Sequence, residues 1–205
     1  MLQRLFGGGR PEDDPRSLYP GSPAFSGGLP YDPSSLPGLA ARWWRWACSV
    51  PGDRHPCRDA TGRHAGVNQP EDVFFLAGTF GGEASRACAV PGGVPLFFPV
   101  LNVFAEDGGK GVPHFRRVRV AARLNGVDLP VTPVTNDVPY RLVGVPGNPM
   151  TPGADGRGVR IVGSGHWCRI DPLAPGGYVL EFAGDTAGFS VAVTYDLTAL
   201  PPGGA

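Results

Sequence analysis

Three groups of side chains in this sequence could do chemistry. The first is a loop dense in ligating groups, residues 51–72, which carries His55, Asp59 and His64. Two imidazoles and a carboxylate could gather a divalent cation there, provided the loop folds back on itself. Asx-turns and helix caps on a long surface loop are the competing expectation. The second group is FRRVRVAARL, residues 115–124, where Arg117, Arg119 and Arg123 alternate with Val118, Val120, Ala122 and Leu124. A column of guanidiniums on one strand face could grip phosphate, sulfate or uronate groups. A solvated face paired with acidic neighbours accounts for the same pattern. The third is Trp43, Trp44 and Trp46. Trp44 borders an apolar stripe and could stack on a sugar or a base, although a helix docked on a sheet explains the cluster as well.

Catalytic motifs are missing around these groups. Ser164 stands in Gly163-Ser164-Gly165 rather than in a G-x-S-x-G elbow. His166 follows too closely along one strand to serve as its base. No H-E-x-x-H, P-loop or strand–helix G-x-G-x-x-G occurs. Glu83, Glu106, Asp107 and Glu181 would have to converge in space to act on a glycosidic bond, and their spacing does not favour it. Asn102, Glu106 and Asp107 offer oxygens to a hard cation without the pattern of an EF-hand loop. No cofactor is expected, with a divalent cation as the open alternative. Cys48, Cys57, Cys88 and Cys168 show no zinc spacing. They read either as two disulfides, Cys48 with Cys57 across a short Pro/Gly loop and Cys88 with Cys168, or as buried reduced thiols.

These residues need elements to hold them. Ser34-Ser35 offers an N-cap and Leu36-Pro37 a first turn for a helix reaching Ala47 or Cys48, stopped by Pro51-Gly52. Leu39, Trp43, Trp46 and Ala47 share one face, and Arg42 and Arg45 lie away from it. Two apolar runs, residues 73–80 and 94–101, read as a core hairpin about a Gly- and Ala-rich middle. Residues 129–135 and 138–145 read as a second strand pair, and residues 158–162 and 166–170 as two short strands about Gly163-Ser164-Gly165. At the C-terminal end, Tyr178, Leu180 and Phe182 alternate with polar positions. Phe189, Val191, Val193, Tyr195 and Leu197 do the same after a Gly-rich turn. About nine short strands and one Trp-rich helix predict an all-β fold, a β-sandwich or jelly roll. The expected organisation is an extended Gly/Pro-rich arm over residues 1–33, a single sandwich over 34–200 and a flexible tail over 201–205.

Composition narrows the partners. The 205 residues include 32 Gly and 24 Pro, yet 41% are hydrophobic and arranged in periodic blocks, which suits a folded core with many turns. Eighteen basic and eighteen acidic residues cancel, so no net field draws nucleic acid or an anionic membrane. No apolar run approaches the ~18 residues of a membrane span. The opening MLQRLFGGGR lacks the apolar core of a secretory signal. Leu5, Phe6, Leu18, Tyr19, Phe25, Leu29 and Tyr31 are spaced along the arm, which suits a segment that drapes over a surface, either this domain's or a neighbour's, with a floppy terminus as the competing expectation.

WWRWACSVP (43–51), DATG (59–62), FFLAGTFGG (74–82), RACAVPGG (86–93), LFFPVLN (96–102) and the ending from 173 to 198 together carry a resemblance. The chain resembles a widespread set of uncharacterised bacterial proteins, usually exported, which share a Trp-rich helix, an FLAGTF-like strand and an FFP-[VI]-x-N strand. The resemblance covers roughly residues 38–198 and implies one exported-type β domain, extracellular or at the cell surface, with no established activity. It also implies cysteines near Ala65 and Ala105, which this chain lacks. The functional expectation is therefore a non-enzymatic structural or interaction subunit that docks through residues 1–33. The alternative is a carbohydrate-binding or metal-dependent hydrolytic module acting on polysaccharide.

Overall fold

A computed structural model describes residues 28–108, 111–150 and 158–203. Most of the expected arm, residues 1–27, lies outside the described residues. Helix α1 spans Leu36–Cys48; the Ser35 side chain accepts from the Gly38 amide at 3.1 Å, with Pro37 in the first turn. Its far end closes at Ser49, whose hydroxyl donates to the Trp46 carbonyl at 2.7 Å. Nine strands follow among the described residues: β1 Phe74–Phe75, β2 Gly82–Val90, β3 Leu96–Glu106, β4 Arg119–Leu124, β5 Val127–Asp128, β6 Thr132–Leu142, β7 Val159–Ile170, β8 Gly176–Thr186 and β9 Phe189–Ala199. They form a four-stranded sheet in the order β1-β3-β7-β6 and a five-stranded sheet in the order β2-β9-β8-β4-β5.

The two sheets pack as a sandwich, and α1 covers the outer face of the four-stranded sheet. One core lies under the helix, where Trp43, Trp46, Phe75, Phe97 and Trp167 meet. The other fills the space between the sheets with Phe98, Leu101, Leu180, Phe182 and Tyr195. Strands β3 and β7 are therefore buried on both faces, which is why LFFPVL reads as an unbroken apolar run rather than an alternating one. β8 and β9 have one face in water and alternate as expected.

Several local expectations change. The run 73–80 does not form a hairpin with 94–101. β1 is two residues long and pairs in parallel with Leu96 and Phe97, while the Gly/Ala-rich middle becomes β2 and pairs in parallel with β9 in the other sheet. Small residues suit β2 because it is an edge strand with one face in solvent. Val159–Ile170 forms one strand, not two. Gly163 and Gly165 act there as close-approach positions: a Cβ on Gly165 would lie 2.7 Å from the Leu101 carbonyl and 2.6 Å from the Trp167 Nε1. Likewise β6 is one strand with a bulge between Asn136 and Tyr140. Arg45, expected on the outer side of α1, is buried, because residues 28–33 lie over that flank and Gly28 accepts from its guanidinium at 3.4 Å.

Candidate functional site: an apolar cleft on an open strand edge

One concave feature grows from the short length of β1. The Leu76 amide donates to the Phe97 carbonyl at 3.1 Å, and there the pairing with β3 stops. Arg86 draws the next residues towards the other sheet. Its guanidinium donates to the carbonyls of Ala77 at 2.6 Å, Gly78 at 3.1 Å and Asp59 at 2.7 Å, and to the Tyr195 hydroxyl at 2.8 Å. The Ala77 amide also donates to that hydroxyl at 3.3 Å. Beyond Phe97, β3 has no strand on this side among the described residues.

Which backbone groups face the opening follows from the ladder. The Asp107 amide donates to the Arg160 carbonyl at 2.8 Å. Antiparallel pairs alternate between bonded and non-bonded, so Leu101, Val103 and Ala105 point their amides at β7. Asn102, Phe104 and Glu106 then present N–H and C=O to the open side. Pro99, which has no N–H to offer, sits at the covered start of this edge.

A cleft of about 270 Å³ runs along the edge. Trp43, Trp44 and Phe104 line it from the helix layer, and Phe80, Phe189 and Val191 from the side of the five-stranded sheet. Phe80 is 49% exposed and Phe189 37%. The Asn102 Nδ2 is shielded from solvent and has no hydrogen-bond partner among the described residues. The cleft is thus an apolar slot beside backbone groups of β3 that no described strand pairs.

The residues singled out from the sequence are distributed differently. Trp44 does line the cleft, edge-on to Trp43 at 5.1 Å and to Phe104 at 4.9 Å, but it is 5% exposed and presents no open platform. Arg119 is paired with Asp185 at 3.0 Å and Arg123 with Asp128 at 2.7 Å. Arg117 precedes β4 in left-handed backbone, φ 55°, and so is not set by the alternation of that strand.

His55, Asp59 and His64 are not brought together, and no group of three metal-ligating side chains occurs among the described residues. Asp59 caps its own loop, accepting from the Thr61 amide and hydroxyl at 2.8 Å and from the His64 amide at 2.8 Å. The His64 Nε2 accepts from Arg63 at 3.0 Å. Glu83 and Glu181 lie on the outer face of the five-stranded sheet, and Glu106 and Asp107 at the end of β3. The Ser164 hydroxyl donates to the Pro113 carbonyl. Cys48, Cys57, Cys88 and Cys168 are free thiols, so the disulfide expectation is corrected. Burial pushes the thiols of Cys57, Cys88 and Cys168 up to about 12 and that of Cys48 higher still, which keeps them protonated and inert.

His55 is buried, and its Nδ1 accepts from the Cys57 amide at 3.2 Å, which places the ring proton on Nε2. Desolvation lowers its pKa to about 4 from 6.5. A base with a depressed folded pKa favours folding fully above its unfolded pKa, and that contribution is lost as pH falls from 6.5 towards 4. The linkage amounts to about 3 kcal/mol at most. Burial lowers His166 too, with the same sign. Urea midpoints should therefore fall between pH 7 and pH 4.5, above the range where Asp59 and Asp72 protonate. His55→Gln, which retains an acceptor for Cys57, should flatten most of that slope. An unchanged slope would assign it elsewhere.

Sequence reasoning missed Arg86 and Tyr195 as a pair and the open edge of β3. Pro99 was the available signal for the edge, since proline within a strand belongs at one. No helix among the described residues is long and apolar enough to cross a membrane. No protein-family model matches the chain, and no curated protein matches it.

Proposed function

We propose that the protein is a non-enzymatic interaction protein, a β-sandwich that joins a larger assembly by docking its N-terminal arm, residues 1–33, onto a protein partner or a second copy. The anchored root of the arm carries this reading. The Tyr31 hydroxyl donates to the Val138 carbonyl at 3.0 Å and accepts from the Val138 amide at 2.8 Å. Its ring meets Tyr140 edge-on at 6.3 Å, and Arg42 donates to the Pro33 carbonyl at 3.1 Å. Residues 28–33 are thereby fixed on the sandwich, and the aromatic-studded segment before them leaves from a defined point. Further support comes from the chemistry that is committed elsewhere: Ser164 to Pro113, His55 to Cys57 and Asp59 to its own loop. On the resemblance described above, such an assembly would sit outside the cell or at its surface.

The polysaccharide reading has less behind it, because Arg119 and Arg123 are already held by carboxylates and the cleft is apolar. Deleting residues 2–27 keeps the anchored root. It should abolish assembly in light scattering while the thermal midpoint moves by no more than about 2 °C, as for surface changes. A full-length chain that is monomeric at all concentrations, or associations that survive the deletion, would overturn the reading.

A further inference from the structure

We propose that His55 is an acid-operated latch: taking up a proton frees the loop 53–58 and opens one wall of the cleft. The loop is fastened at its two ends. The Gly52 amide donates to the Gly147 carbonyl at 3.0 Å, and the Asp59 carbonyl accepts from Arg86 at 2.7 Å. Between those anchors Asp53 and Arg58 are exposed, while His55, Pro56 and Cys57 are buried. Cys57 lines the cleft. The His55 ring lies against Phe80, with 5.5 Å between the ring centroids, and Phe80 lines the cleft too. A side-chain bond braces the buried part of the loop, from the Cys57 amide to the His55 Nδ1 at 3.2 Å.

That bond exists only for the neutral imidazole. A protonated ring carries N–H on both nitrogens, so the acceptor at Nδ1 becomes a second donor facing the Cys57 amide. The surroundings oppose the cation as well. Burial acts against it most strongly, and Arg58 from its own loop and Arg86 from β2 are cations that act in the same direction. At the end of α1 the Ala47 carbonyl favours the charged form, but it already accepts from the Asn148 Nδ2 at 2.8 Å. Phe80 contributes an uncharged ring, itself 6.0 Å from the Arg58 guanidinium carbon. The charged ring is therefore satisfied by leaving for solvent, and the loop between its anchors leaves with it. Cys57 then quits the lining and Phe80 loses the ring it rests on, so the cleft widens in acid.

Amide hydrogen exchange on the full-length chain between pH 7 and pH 4.5 tests this. An imidazole that titrates at about 4 in the closed loop and at 6.5 in the open one makes opening about fiftyfold more frequent at the lower pH. The protection factor of the Cys57 amide should fall by that amount. In the unaltered chain the fall should set in below pH 6.5 and approach about tenfold per pH unit, the slope of a single proton. The opening is local, so low urea should leave Cys57 unchanged while it speeds exchange of Phe182, inside the five-stranded sheet. In His55→Gln, which keeps an acceptor for Cys57, protection should vary less than about threefold over the same range. Exchange at Cys57 that follows Phe182 in urea, a fall that begins only near pH 4, or a fall of the same size in His55→Gln would each overturn the latch.

Discussion

Replacing Arg86 with methionine should lower the folding free energy by about 4 kcal/mol and the thermal midpoint by roughly 8–16 °C. Arg86 is 3% exposed and has no carboxylate partner among the described residues; its charge is satisfied by three carbonyls, the Tyr195 hydroxyl and the Tyr195 ring, 5.4 Å from the guanidinium carbon. Methionine keeps the length and removes every donor. The carbonyls of Asp59 and Gly78 then lose the partner that Arg86 provides, and a buried acceptor without one costs about 1–3 kcal/mol. Ala77 retains the Tyr195 hydroxyl at 3.0 Å, which limits the total. Tyr195→Phe should cost about 1–2 kcal/mol. Because the two residues share one network, the double variant should lose less than the sum. Urea denaturation of the four proteins measures this. A loss below about 1 kcal/mol for Arg86→Met would mean that water replaces the guanidinium. The same bonds hold Ala77 and Gly78 away from β3, so the variant should also change the cleft.

Trp43→Ala should cost a similar amount, about 4 kcal/mol, within the usual range for removing a large aromatic from a core. Trp43 is 1% exposed and stands at the junction of helix and sheet, with ring centroids of Trp44, Trp46 and Trp167 at 5.1, 5.9 and 5.6 Å. Its Nε1 donates to the Leu76 carbonyl at 2.8 Å, where β1 leaves β3. Trp43→Phe separates the two contributions. It keeps most of the packing and orphans one carbonyl, so it should lose about 1–2 kcal/mol. Equal losses for the two variants would show that the hydrogen bond, not the ring, holds the helix on the sheet.

The open edge connects these two predictions with the cleft. Arg86 and Trp43 act on opposite sides of the point where the chain leaves β3. One pulls residues 77 and 78 towards the five-stranded sheet, and the other ties residue 76 to the helix. The slot between them is a consequence of that divergence.

What this sequence determines by itself is local. Ser35, Leu36 and Pro37 specify a helix start because the cap bond spans three residues. The final hairpin is legible because β8 and β9 each have one wet face, so their polarity alternates with the pleat. Turn residues at short spacing are enough to mark an all-β chain. Tertiary structure alone decided the partners. The parallel pairings of β1 with β3 and of β2 with β9 join strands that no turn connects, and nothing in the local pattern encodes them. Burial on both faces erased the alternation that would have separated the strands of the central sheet. The glycines of β7 looked like a turn because the reason for them, the approach of Leu101 and Trp167, is not written near them in the chain. Arg86 looked like one more arginine until its acceptors came together, one of them Tyr195 at the other end of the chain. The site is hard to read for the same physical reason. An open strand edge is defined by the neighbour that is not there, and only the assembled sheet shows where that neighbour stops.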